Sequence, residues 1–384
     1  MRAAALIPLF ALACNPGEDT GDTGDTVPLE PFDAATAERL DAALTAVLEQ
    51  HPATGLQAAV LLPGREGWVG NAGLANLDGD QPWAIGHASK AGSITKTVTA
   101  SLVLSAVQDG ALSLDDAASA HLTDFPWGDT ITVRHLLQHS SGIPEYAGAL
   151  EIAGDQDESW SLAELVDLVA VQGVSFEAGS RYAYANTNYV VLGLILEELG
   201  DQPWQDQATA ILRDIGEGSL RVPSQGEGWG QVVPGYLMLP DGSAYEHDTG
   251  NDWSSYWHAD AIASAGNLVG DAPGLAAWGR ALWIDETVLD SATVEAMVGD
   301  TVPVGSGYAY GLGTVVDDTT ERTRWFHNGA VTGYASWLDA RPDDGAVVAV
   351  VSNNWLVDGG YFSSDWLMDA RDQLWDALDG VGGD

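Results

Sequence analysis

Apolar residues near both ends of the chain recur with a strand-like period, while the long stretch between them repeats every three to four residues. Segments 56–62 and 67–73 read as two strands around the turn Pro63-Gly64. Segments 310–316, 323–327, 334–340 and 346–352 read as consecutive strands near the other end. Residues 34–50 have helical spacing, with Leu40, Leu44, Val47 and Leu48 on one face. Helical segments are also expected at 93–108, 132–139, 162–171 and 189–199, and an amphipathic helix at 364–378 closes the chain. Asn76-Leu77-Asp78-Gly79-Asp80 is turn chemistry, without the ligand spacing of a calcium loop. The economical architecture is α+β: one antiparallel sheet built from both chain ends, covered by the terminal helices, with a mostly helical sub-domain at about 93–300 beside it. Clefts between such sub-domains are where pockets form.

The chain has 384 residues, 46% of them apolar, enough for one large core or two sub-domains and too many for a disordered protein. Its 14 Lys+Arg stand against 56 Asp+Glu, a formal charge of −42. Such a field repels phosphate backbones, which excludes nucleic-acid binding through a basic face. It also disfavours strongly anionic substrates unless local cations intervene. Lys90 and Lys96 are the two lysines, and Cys14 is the single cysteine, so no intrachain disulfide can form.

The amino terminus reads as a targeting segment. Arg2 precedes an apolar run, 3–13, of signal-peptide length and too short to span a bilayer as a helix. Ala11-Leu12-Ala13-Cys14 resembles a bacterial lipoprotein cleavage box, with Cys14 where a lipid would be attached. The expectation is a signal peptide over 1–13, then a lipidated Cys14 and a flexible linker over 14–31 carrying an Asp-Thr-Gly repeat, and a globular domain over 32–384. The repeat lacks the flanking hydrophobic strands that would couple two catalytic aspartates. The expected location is a bacterial cell envelope, with the protein tied to the membrane by a lipid.

Three short motifs carry chemistry. In Ser93-Ile94-Thr95-Lys96, a helix starting at Ser93 puts the Lys96 amine one turn on, on the face of the hydroxyl. A serine hydroxyl is a poor nucleophile until a neighbour takes its proton, and free N–H groups at a helix start favour developing negative charge. In Tyr184-Ala185-Asn186, the phenol can exchange a proton and the amide offers both donor and acceptor. In His327-Asn328-Gly329-Ala330, at a strand end, His327 can share a proton and Gly329 lets a substrate approach the backbone.

Taken in this order, the motifs resemble the serine β-lactamase and penicillin-binding-protein family, in its class C β-lactamase, D-alanyl-D-alanine carboxypeptidase and esterase branch. The resemblance spans about 32–378 and includes Gly73-Leu74-Ala75-Asn76-Leu77, the stretch from Ile131 to Pro144, and Tyr310-Gly311-Leu312-Gly313. It implies a β-lactamase-like fold with Ser93 as the acylated nucleophile and Lys96 and Tyr184 as the groups that manage its proton. It assigns Asn186 to Lys96 and the substrate amide. His327 takes the place of a lysine found in many relatives, near substrate and Tyr184. Gly329 and Ala330 border the substrate, and the N–H groups of Ser93 and Ala330 form an oxyanion hole. Ala178 and the run Gly266-Asn267-Leu268-Val269-Gly270-Asp271 depart from the usual pattern, and His327 argues against an efficient β-lactamase. The implied activity is that of a D-alanyl peptidase or esterase; a β-lactamase or an inactive binding module is the alternative. The implied partner is a small molecule or a peptidoglycan peptide, with no cofactor and no metal.

Other features carry less. His135 and His139 have a zinc-compatible spacing, but no Glu follows His135, and this stretch is structural in the family it resembles. No G-x-S-x-G occurs, so an α/β-hydrolase lacks its nucleophile elbow. Arg322 and Arg324 are the cations nearest the third motif in sequence. Trp253 and Trp257 are candidates for an apolar acyl pocket.

Overall fold

The computed structural model describes residues 29–149, 160–215, 218–223, 232–239, 241–248, 259–305, 307–358, 361–363 and 366–380. The signal segment, Cys14 and most of the expected linker lie outside the described residues, as do Trp253 and Trp257. No described helix is long and apolar enough to cross a membrane.

A nine-stranded sheet joins the two ends of the chain as expected. Its centre is Gly55–Leu61 paired antiparallel with Ala346–Ser352, which pairs antiparallel with Tyr334–Arg341 and then Arg324–Val331. Ala346–Ser352 is AVVAVVS, buried at every position. Its residues alternate between faces: Val347, Ala349 and Val351 join the core shared with the helical sub-domain, while Ala346, Val348 and Val350 join a second core under the terminal helices. An apolar run without polar alternation is what a strand covered on both sides requires.

The terminal helices Ala34–Gln50 and Trp366–Asp379 cover that second face. The first buries Leu40, Leu44 and Val47, with Leu48 at the edge, and is capped by Asp33, whose carboxylate accepts from Thr36 N–H at 2.9 Å. On the other face, helix Thr95–Gln108 is buried on nearly every side, and the hydroxyls of Thr97, Thr99 and Ser101 that go in with its apolar residues each donate to a backbone carbonyl.

Three expectations change. The helix expected over 93–108 begins at Thr95, because Ser93 and Ile94 form a preceding turn in which Lys96 N–H bonds Ser93 C=O at 2.9 Å. The strand expected over 310–316 is two short antiparallel strands, Tyr308–Tyr310 and Val315–Asp317. Gly311 N–H bonds Thr314 C=O at 2.7 Å and Gly313 has φ of +91°, so the glycines make a turn where alternation alone suggested continuity. The middle of the chain also holds strands that its sequence did not announce: Ser89–Gly92 pairs with Leu268–Gly270, and Gly235–Met238 sits between Ala244–Asp248 and Asn354–Asp358.

Candidate active site

Ser93 sits on the turn between strand Ser89–Gly92 and the buried helix. Two glycines let this turn press against the strand Arg324–Val331. A Cβ on Gly92, whose φ is +52°, would lie 2.7 Å from Ala330 N, and a Cβ on Gly329 would lie 1.9 Å from Ala91 O. Neither gap admits a side chain, and this close approach brings Ser93 and Ala330 to the lining of one cavity.

Ser93 Oγ does not cap the helix; no side chain does. It meets Lys96 Nζ at 3.0 Å and Tyr184 OH at 2.8 Å. Lys96 is fully buried and also reaches Asn186 Oδ1 at 2.8 Å and Ala265 O at 2.7 Å. Ala265 belongs to a helical segment, Ala259–Gly266, broken at Ala263, whose φ of 25° is unusual for a residue with a Cβ. Burial lowers the Lys96 pKa to about 7, opposed by the negative charge of Glu145. A neutral amine has two N–H bonds and one lone pair. Asn186 Oδ1 and Ala265 O take the two hydrogens, and the lone pair is left for the Ser93 hydroxyl.

Tyr184 precedes helix Asn186–Gly200, and Lys96 Nζ lies 4.8 Å from the centre of its ring. Burial pushes the phenol well above its ordinary value, although 40% of the residue is exposed. The direction follows from the rings packed around it, and the exposed edge tempers its size. Asn186 N–H donates to Glu145 Oε2, and Glu145 Oε1 accepts from Ala147 N–H at 2.9 Å. Glu145 thus stands beside the cluster, and nothing in the sequence marked it.

His327 is buried, its Nδ1 2.6 Å from Asn328 O and its Nε2 3.0 Å from Tyr310 OH. Burial and the nearby Lys96 lower its pKa to about 3. It is therefore a neutral ring with both nitrogens engaged inside the protein, and it cannot supply the charge that a lysine brings at this place. Gly329 and Ala330 follow on the same strand, and Ala330 lines the cavity with Ser93.

The cavity, about 130 Å³, is walled by Ala147, Ile262, Val331 and Trp355, with Ser93 and Asn186 as its polar groups. No arginine, lysine or histidine lines it among the described residues. Arg322 and Arg324 lie elsewhere. Period-two alternation turns Arg324, with Phe326, to the face opposite His327. There Arg324 pairs with Asp317 at 3.0 Å and Asp372 at 3.1 Å, and Arg322 pairs with Asp344. His135 and His139 do not converge as ligands: His135 Nδ1 accepts from Thr132 N–H in a helix-capping box, while His139 lies under Tyr184.

The family model described as Beta-lactamase matches residues 40–366, most of the chain. The chain belongs to the β-lactamase family. Its β-lactamase-like fold is the α+β arrangement expected from the sequence. A penicillin-binding protein of Bacillus subtilis (strain 168) is 25% identical over 289 residues, which are 73% of this chain and 64% of that relative. The match thus spans less than two thirds of that relative's length. D-amino acid amidase from Ochrobactrum anthropi SV3 superposes with a TM-score of 0.79 at 24% identity, covering 90% of this chain and 99% of the amidase. D-stereospecific amidohydrolase from Streptomyces sp. superposes with a TM-score of 0.72 at 24% identity, covering 92% and 100%. Within this family fold, Ser93, Asn186 and Ala330 line one cavity, Lys96 and Tyr184 bond to Ser93, and His327 is buried on the strand that carries Ala330.

Proposed function

We propose that this protein is a serine hydrolase that cleaves small amides or esters through an acyl-enzyme on Ser93. The observation that carries the reading is the contact of Ser93 Oγ with both Lys96 Nζ and Tyr184 OH, while the other two Lys96 contacts are acceptors. Ser93 Oγ attacks the substrate carbonyl carbon, and its proton passes to the neutral Lys96 amine. The carbonyl oxygen takes the negative charge against the N–H groups of Ser93 and Ala330, each worth about 10²–10³ in rate in such sites. The C–N or C–O bond then breaks, and the leaving group takes a proton through Tyr184 OH. Water reverses the sequence: its oxygen joins the acyl carbon, its proton enters the same relay, and Ser93 is regenerated with release of the acid. Lys96, near 7, is the base, and Tyr184, held protonated by its raised pKa, is the relay.

The walls favour a substrate without a terminal carboxylate, a group that in a D-alanyl-D-alanine peptide departs with the leaving D-alanine. The described lining has no cation to receive one, and Glu145 would repel it. This weighs against a D-alanyl-D-alanine terminus and towards uncharged amides and esters, amides of D-amino acids among them, the class that the name of the D-amino acid amidase gives for that neighbour. Export and attachment through Cys14 complete the proposal and put the enzyme in the cell envelope.

The test is a panel of nitrophenyl esters, D- and L-phenylalanine amides, D-alanyl-D-alanine peptides and a chromogenic cephalosporin, with intact-mass measurement. Amide or ester turnover and an acyl mass gain that Ser93→Ala abolishes are expected. Equal turnover by Ser93→Ala, or turnover of carboxylate-ended peptides alone, overturns the mechanism or the substrate class respectively.

A further inference from the structure

His139 does not line the cavity and touches neither Ser93 nor Lys96 by a hydrogen bond, yet the segment that carries Tyr184 is built onto it. Its carbonyl accepts Ala183 N–H at 2.8 Å, and its ring nitrogen Nδ1 accepts Ala185 N–H at 3.2 Å. Its imidazole stacks on the Tyr184 ring at 4.2 Å and 30°. The two backbone N–H groups flanking Tyr184, and the phenol ring itself, are therefore all held by one residue.

His139 is in turn fixed from every side. It is fully buried, with φ of 53°, directly after helix Val133–Leu137 and its cap Gln138. Asn188 Nδ2 sits 3.1 Å from the same Nδ1, and Ser141 Oγ holds Asn188 Oδ1, which orients that amide with its NH₂ towards the imidazole. Nδ1 thus accepts from two N–H donors, so the proton of the neutral ring resides on Nε2, which has no hydrogen-bond partner. The rings of Tyr182, Tyr189 and Tyr310 close around it at 6.0, 5.1 and 4.9 Å. Burial above all keeps the imidazole neutral. A neutral ring adds no positive charge beside Lys96.

We propose that His139 is a positioning residue for catalysis: it acts through Tyr184, aligning the phenol on Ser93 Oγ, and takes no part in proton transfer itself. This rests on the acyl-enzyme reading above, since it gives His139 a role only where Tyr184 relays a proton. The argument is geometric. A phenol with an exposed edge, on a loop before a helix, can swing about its Cα–Cβ bond, and the stack with the paired N–H anchors removes that freedom.

The test measures labelling of Ser93 by a fluorophosphonate and kcat and KM for a nitrophenyl ester. His139→Asn retains an acceptor and tolerates a left-handed backbone, so it is the variant most able to fold, and it removes the stack. His139→Phe retains a ring face and removes the acceptor. Thermal melts establish that each variant is folded. The expected result is a fall in labelling rate and kcat of roughly tenfold to a hundredfold, with KM changed by no more than about twofold, in at least His139→Asn. In a Tyr184→Phe background, the same substitution has no further effect. An unchanged rate in a folded His139→Asn overturns the inference, as does an equal loss with and without Tyr184, which marks a general structural role. Absence of labelling in the wild type overturns the acyl-enzyme reading and this inference with it.

Discussion

The reaction should switch on as Lys96 loses its proton, and the structure sets where. Moving its pKa from 10.5 to about 7 means that burial disfavours the ammonium by roughly 5 kcal/mol. The neutral fraction is then about 9% at pH 6, half at pH 7 and about 91% at pH 8. If the neutral amine is the base, kcat/KM rises about tenfold from pH 6 to pH 8 and then levels off. No other group in the cluster accounts for such a limb. His327 is near 3, His139 lies well below its ordinary range, and Tyr184 lies well above its own. The sign can be checked independently. Glu145 raises the Lys96 pKa, so Glu145→Gln, which removes the charge, must move the limb to lower pH. The assay is kcat/KM for an uncharged nitrophenyl ester from pH 5 to pH 9, in wild type and Glu145→Gln. A flat profile across pH 6–8, or a limb moved to higher pH by Glu145→Gln, refutes the assignment of Lys96 as base.

Other outcomes follow from the same geometry. Gly329→Ala puts a methyl 1.9 Å from the Ala91 carbonyl oxygen, and backbone cannot turn aside as a flexible side chain can; stability should fall by about 1–3 kcal/mol and activity with it, read by chemical denaturation and turnover, and a wild-type melt would contradict the close packing. Tyr310→Phe strips the buried His327 Nε2 of its partner and should cost about 1–3 kcal/mol; equal stability of variant and wild type counts against the bond. Cys14→Ser should move the full-length protein from the membrane fraction to the soluble fraction on cell fractionation, and an unchanged distribution removes the lipid-anchor proposal.

Much of the frame was legible because periodicity records burial directly. Residues 34–50 and 346–352 were read with the bounds the structure gives, the first because one apolar stripe faces one core, the second because an unbroken apolar run has a core on each side. Alternation over 310–316 cannot reveal a turn closed by one glycine, Gly313, of left-handed φ, and the strand Ser89–Gly92 is too short, at a few residues, for a period to show. At the site, the spacing Ser93 to Lys96 survives in space because a turn leading into a helix keeps residues three apart on one side.

The sequence by itself determined the Ser93 hydroxyl with its neighbouring amine, the phenol and amide two residues apart, and the sheet assembled from both ends, since each is written in local spacing or in the character of a short segment. The tertiary structure alone decided which groups surround them. Ala265 lends its carbonyl to Lys96, Glu145 stands beside Asn186, and His139 lies beneath Tyr184. Arg324 turns away to pair with aspartates, and His327 is driven neutral. Those decisions belong to residues far apart in the chain, and the protonation states they set depend on how much water the finished packing excludes, a quantity no segment possesses before the whole has folded.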